Sequence, residues 1–123
     1  MVMRVIIAGS RHIIDYDLVE EAVRASGFPI ATVVSGAAAG VDLLGLKWAL
    51  RHCVPAVTYP ADWRTYGTSA GFRRNLEMAE TADALVAVWD GLSRGTAHMI
   101  QVMRNRAKPV YVHRVEFWRR DAP

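Results

Sequence analysis

Short, unbroken apolar runs alternate along this chain with segments whose apolar residues recur every three or four positions. Arg4–Ala8, Thr32–Ser35, Pro55–Tyr59, Ala84–Trp89 and Pro109–His113 have the first pattern. Arg4–Ala8, apolar on successive positions, suits a central parallel strand buried on both faces, and the other four runs read as its companion strands. The second pattern predicts helices over Asp15–Ser26, Asp42–His52, Ala70–Thr81 and Thr96–Arg106. In the first helix Leu18, Val19, Ala22 and Val23 make the apolar stripe, and Gly27 ends it. Its start has two solutions: Asp15 as cap with an Ile14–Val19 staple, or a capping box of Asp17 and Glu20. The second helix carries Leu43, Leu44, Leu46, Trp48, Ala49 and Leu50, leaving a narrow polar stripe at Lys47 and Arg51. A helix apolar on most of its circumference wants cover on two sides, which in so small a domain points to a second subunit. In the third, Phe72, Leu76 and Ala79 are expected to face inward. Ala61–Ser69 reads as a loop long enough to carry function. The tail Val115–Pro123 offers Phe117 and Trp118 for docking on the body or on a partner.

Five strands alternating with four helices predict an α/β fold with a five-stranded parallel sheet and right-handed crossovers. The expected strand order is 3-2-1-4-5, with a ligand crevice beyond the carboxyl ends of strands 1 and 4. No repeat, linker or low-complexity segment divides the chain, so residues 1–123 form a single domain.

Composition changes this picture little. The 123 residues are 52% hydrophobic and 22% charged, as in ordinary soluble proteins. Cys53 stands alone, which excludes an internal disulfide and predicts a buried, reduced thiol in a cytoplasmic protein. The run Val2–Ala8 is too short for a secretory signal, and nothing approaches a membrane span. The net charge is +3, and Lys47 and Lys108 are the only lysines among fifteen basic residues. Arginine favours bidentate contacts to phosphate and carboxylate, which keeps anionic ligands and nucleic acid open as partners.

Candidate chemistry gathers where strands hand over to helices. Gly9-Ser10-Arg11 follows strand 1. Ser35-Gly36 and Gly40-Val41-Asp42 bracket three alanines after strand 2, and Asp90-Gly91-Leu92-Ser93-Arg94-Gly95-Thr96 follows strand 4. Small residues let backbone N–H groups approach a phosphate, and a helix N-terminus adds a favourable dipole; tight turns and close helix packing have the same composition. Arg73 and Arg74 fall in a predicted first helical turn, where a cation loses ~0.3–1 kcal/mol against the dipole. A bound phosphate or an ion pair with Glu77 would compensate. Asn75 beside them suits a ribose hydroxyl or a loop carbonyl. Trp63 and Tyr66, with Asp62, suit a base and its ribose, or a lid folded on its own loop. Trp48 and Trp89 read as core, and His12 alone among the histidines falls at the ligand edge. The G-x-G-x-x-G and P-loop patterns are absent, as is a nucleophile–base signature, which disfavours an ordinary dehydrogenase or NTPase.

In order along the chain, Gly9-Ser10-Arg11, Val34-Ser35-Gly36 with Gly40-Val41-Asp42, Pro60-Ala61-Asp62-Trp63, Ala70-Gly71-Phe72-Arg73-Arg74-Asn75 and Asp90-Gly91 with Ser93-Arg94-Gly95-Thr96 resemble the small YspA-like members of the SLOG superfamily. That superfamily includes the LONELY GUY phosphoribohydrolases and the DNA-processing protein DprA. The resemblance covers nearly the whole chain. It implies a Rossmann-like three-layer sandwich, a nucleotide or nucleotide-derived ligand in place of a fixed cofactor, and a homodimer. The phosphoribohydrolases carry Pro-Gly-Gly-x-Gly-Thr-x-x-Glu, whose glutamate works with an arginine on the preceding helix. Here Gly95-Thr96 matches, the glutamate position falls on Met99, and the arginine corresponds to Arg73 or Arg74. The leading expectation is a sensor or carrier. Its glycine loops and Arg11, Arg73 and Arg74 hold phosphate, and Asp62 and Trp63 meet ribose and base. The alternatives are N-glycosidic cleavage of a nucleoside monophosphate, with Asp42, Asp62 or Asp90 supplying the carboxylate, and single-stranded nucleic-acid binding of the DprA kind.

Overall fold

The structure, a computed structural model describing residues 2–116, forms a five-stranded parallel sheet with helices on both faces. In chain order the elements are β1 (Met3–Gly9), α1 (Tyr16–Ser26), β2 (Ile30–Ser35), α2 (Val41–Arg51) and β3 (Ala56–Thr58). Then come α3 (Trp63–Tyr66) with a 3-10 turn (Gly67–Ser69), α4 (Ala70–Thr81), β4 (Ala84–Trp89), α5 (Arg94–Asn105) and β5 (Val110–Arg114). The strand order β3-β2-β1-β4-β5 is the one the alternation predicts. All four pairings are parallel, with Val5 opposite Val33 on one side and Ala84 on the other.

The pleat sends alternate residues of β1 to opposite faces. Val5 and Ile7 pack under α1 and α2 with Val19, Val23, Val41 and Trp48. Ile6 and Ala8 pack under α4 and α5 with Met78, Met99 and Met103. Val5, Ile6 and Ile7 are fully buried, each side chain contributing about 1.5–3 kcal/mol, so the central strand is also the centre of both cores. No helix among the described residues is long and apolar enough to cross a membrane.

Several local expectations change on contact with the fold. Asp15 does cap α1, accepting from the Asp17 N–H, but Ile14 is 84% exposed and staples nothing. Glu20, free of any capping box, accepts from Tyr16 Oη (2.9 Å) and Trp48 Nε1 (3.3 Å) and meets His52 Nε2 (3.0 Å), tying α1 to α2. Ala61–Ser69 is no open loop: Asp62 caps α3, and the 3-10 turn runs straight into α4. On α4 the inward residues are Ala70, Asn75, Met78 and Ala79, whereas Phe72 and Leu76 are exposed. The helix is rotated because the open side of the site, and not the core, receives Phe72. Cys53 is exposed, in a turn at φ 54° that α2 needs to reach β3. Trp48 is core, while Leu43 and Leu50 of α2 remain exposed, as do all three residues of β3. The expected docking of Phe117 and Trp118 lies outside the described residues.

The Glu20 cluster makes a testable contribution. The His52 hydrogen bond is the main influence holding the Glu20 carboxyl below its ordinary value, with Tyr16 and Trp48 helping against partial burial. A depressed carboxylate stabilises the fold above its unfolded pKa and loses that contribution as pH falls through the folded one. Glu20→Ala is expected to cost about 1–2 kcal/mol at neutral pH. In thermal melts its deficit against wild type should shrink below about pH 4.

Candidate functional site

At the carboxyl ends of β1 and β4, where the strand order reverses, a cavity of about 280 Å³ opens between α4, α5 and the β2–α2 loop. Its floor is apolar, from Ala8, Met78 and Met99. Its walls carry Gly9, Arg11, Ala38, Asp42, Trp63, Thr68, Gly71, Phe72, Arg74, Asn75, Ser93, Gly95 and Thr96.

Arg74 crosses from α4 to the β2–α2 loop. Its Nη1 donates to the carbonyls of Gly36 (2.7 Å) and Tyr59 (3.3 Å), and its Nε donates to Asn75 Oδ1 (3.1 Å). A Cβ on Gly36 would run into Arg74 Nη1 and Asp42 Oδ2, so a larger residue here would push both side chains aside. Asp42, in the first turn of α2, is 6% exposed and accepts from the Ala38 N–H (3.2 Å). Burial pushes its carboxyl up to about 6, against the opposing pull of the Ala38 N–H, Arg74 and Arg11. Burial also lowers the Arg74 guanidinium, so desolvation outweighs their mutual attraction in both partners. A group with that value exchanges its proton near neutrality, and it faces an open cavity.

Other expected site residues build the frame. Ser10, fully buried, accepts from the Asp90 N–H through Oγ, and its carbonyl receives the N–H groups of Ile13 and Val41. Gly40, at φ 81°, lets α2 begin against that carbonyl; a Cβ would come within 2.4 Å of it. Ser35 Oγ donates to the Asp42 carbonyl and accepts from the Ala37 N–H. Asp90 folds its carboxylate onto the N–H groups of Leu92 and Ser93. Burial would raise its pKa, but these bonds outweigh it and hold the group low. Gly91 turns at φ 83° beside Arg114. Ser10, Ser35, Gly36, Gly40, Asp90 and Gly91 therefore shape the site without lining the cavity.

Ser93 caps α5, accepting from the Thr96 N–H and pairing with Thr96 Oγ1 at 3.1 Å, while Trp89 Nε1 donates to its carbonyl. Gly95 lies in that first turn with nothing within 4 Å of where a Cβ would stand. The fold has room for alanine there.

The adjacent arginines part company. Arg73 is exposed, donates from Nε to Ser69 Oγ and stacks on Tyr66 at 4.4 Å, outside the cavity lining. Neither arginine pairs with Glu77 among the described ion pairs. Both lie past the first three residues of α4, and the 3-10 turn before it removes the free helix start on which the dipole clash depended. Asp62 is likewise outside the lining, its carboxylate bound to the Thr65 N–H. Trp63 does reach the cavity, lying across Gly71, and is 51% exposed.

Phe72, Thr68, Ala38 and His98 were not among the expected site residues. Phe72 stacks on His98 at 4.2 Å, and His98 Nδ1 meets Asn75 Nδ2 at 3.1 Å. The i, i+3 spacing of Phe72 and Asn75 on α4 was the available clue that both face α5. His12 sits at the expected edge but outside this cavity.

Comparison with known proteins agrees with this architecture. The YspA, cpYpsA-related SLOG family matches over residues 3–66, from β1 through α3. The gene 61 protein of Mycobacterium phage D29 is 34% identical over 117 residues, covering 87% of this chain and 93% of the phage protein. No solved structure matches the chain. By the matched half of its length and by its near full-length phage relative, this protein belongs to the YspA, cpYpsA-related SLOG family.

Proposed function

We propose that the cavity binds a nucleotide or nucleotide-derived small molecule, as a sensor or carrier, with phosphate between Arg74, Arg11 and the first turn of α5. The observation that carries this is the convergence of Arg74, Arg11 and the bare backbone at Gly95 on one open cavity. Exposed helix N–H groups and arginine both favour a phosphate. Trp63 and Phe72 offer exposed aromatic surface on the same wall, where a stacked base gains roughly 1–3 kcal/mol. The cavity is at the small end for a ligand site, which suits one nucleotide unit better than a strand of nucleic acid.

Gly95 supplies the test. Glycine in a helix is worse than alanine by up to about 1 kcal/mol, and nothing in the fold requires it here. Gly95→Ala should raise the melting temperature slightly while weakening the binding of AMP, followed by calorimetry, about 10-fold or more. Unchanged affinity in a stabilised variant would remove the phosphate from this turn.

One observation favours an enzymatic reading. Of the three candidate carboxylates, Asp42 alone lines the cavity, and its raised pKa suits a general acid protonating a departing base. Against it, the position matching the phosphoribohydrolase glutamate is Met99, a buried thioether. Little or no base release from nucleoside monophosphates is expected. For assembly, we place a second copy of the chain over Leu43 and Leu50 of α2. Sedimentation at micromolar concentration should give a dimer, and Leu50→Lys should give a monomer.

A further inference from the structure

Asn75 is 5% exposed and every polar hydrogen of its amide is engaged. Its orientation is determined by chemistry. Arg74 Nε–H is a donor only, so the atom facing it at 3.1 Å has to be Oδ1. That turns Nδ2 toward the Gly95 carbonyl (3.2 Å) and His98 Nδ1 (3.1 Å). A ring nitrogen that faces an amide N–H has to be unprotonated. His98 therefore carries its proton on Nε2 and is neutral. Burial, which lowers the imidazole below its ordinary value, agrees with that state, and the Phe72 ring stacked on it keeps it in place.

The bonds form a continuous relay: Gly36 carbonyl, Arg74, Asn75, then the Gly95 carbonyl and His98. It joins the β2–α2 loop, α4 and the first turn of α5, three segments that bound the cavity. We infer that Asn75 is a positioning residue that sets the Arg74 guanidinium against the first turn of α5 and holds His98 as its neutral Nε2–H tautomer. The inference about geometry stands apart from the ligand; its consequence for affinity rests on the phosphate reading above. An anion that must meet Arg74 and the α5 turn together is bound well only if their separation is held in advance.

The experiment is ¹⁵N NMR of the side chains with calorimetry using AMP as probe. In wild type, His98 should give the neutral Nε2–H pattern, and the Arg74 Nε–H should exchange slowly with water. In Asn75→Ala that exchange should quicken about 10-fold or more, and His98 should lose its single tautomer. Asn75→Asp keeps the shape and the acceptor toward Arg74 but turns an oxygen on His98, which should then take a proton on Nδ1. Loss of packing alone would not produce that change. Where AMP binds wild type, both variants should weaken it about 10-fold. A Nδ1–H tautomer in wild type, or Arg74 and His98 signals unmoved in both variants, would overturn the inference even if AMP binds. The expected NMR changes without AMP binding to wild type would support the relay and overturn the nucleotide reading.

Discussion

Replacing Arg74 by alanine is expected to destabilise the protein by about 2–4 kcal/mol and to abolish nucleotide binding at once. The guanidinium satisfies the carbonyls of Gly36 and Tyr59 and the Asn75 oxygen, and it pulls harder than Arg11 on the buried Asp42. Alanine leaves those acceptors inside a half-buried site without their donor, and unpaired buried polar groups are costly. For a domain of this size the melting temperature should fall by about 10 °C. Arg73→Ala should stay within about 2 °C of wild type, because its side chain is exposed and its partners are the Ser69 hydroxyl and the exposed Tyr66 ring. Lysine at position 74 should rescue part of the charge effect near Asp42 and little of the three-way bonding, which needs the planar fork. Thermal melts and AMP calorimetry of the three variants check this. Equal behaviour of Arg73→Ala and Arg74→Ala would contradict the division of labour between them.

Asp42→Asn is expected to act in the opposite direction, stabilising the protein at neutral pH. The carboxyl has a pKa of about 6 in the fold against an ordinary 3.8. The folded state therefore holds the proton more tightly than the unfolded chain. Stability associated with this group is full below pH ~4 and is lost as pH rises through ~6. At pH 7 and above the ionised form is a burden of about 3 kcal/mol, net of the help from Arg74 and the Ala38 N–H. Asparagine keeps the shape and an acceptor for Ala38 without the charge. Its advantage in melting temperature should be large at pH 7.5, smaller at intermediate pH and absent at about pH 4. A side chain that the fold would be better without is a candidate for function, and the same variant separates the two functional readings. A binding site should take AMP at least as tightly once the negative charge is gone. A hydrolytic site should lose whatever base release wild type shows. A variant less stable than wild type at pH 7.5 would make Asp42 a structural partner of Arg74.

Periodicity fixes which segments are strands and helices, although on α4 it turned Phe72 and Leu76 the wrong way. The unbroken apolar runs of β1 and β4 can be satisfied only by cover on both faces, so they imply the centre of a parallel sheet. Gly27 and Asp15 bound α1 through local backbone chemistry that needs no distant partner. The Gly-rich junctions after β1, β2 and β4 are likewise local, and a parallel sheet brings all three to one edge.

The sequence by itself thus determined the α/β class, the strand order, the family resemblance and the sheet edge on which the glycine-rich junctions gather. Tertiary structure decided which residue on that edge does what. Arg73 and Arg74 are adjacent and chemically identical, and a rotation of ~100° between them puts one in solvent and one in the cavity. Asp42, Asp62 and Asp90 are equivalent as letters. Two of them spend their oxygens on N–H groups two or three residues ahead, and the third is desolvated beside Arg74. Asn75 and His98, 23 residues apart, meet only because α4 and α5 pack side by side. Burial and hydrogen-bond partners across the chain set charge state and availability, and neither is encoded within reach of a local motif.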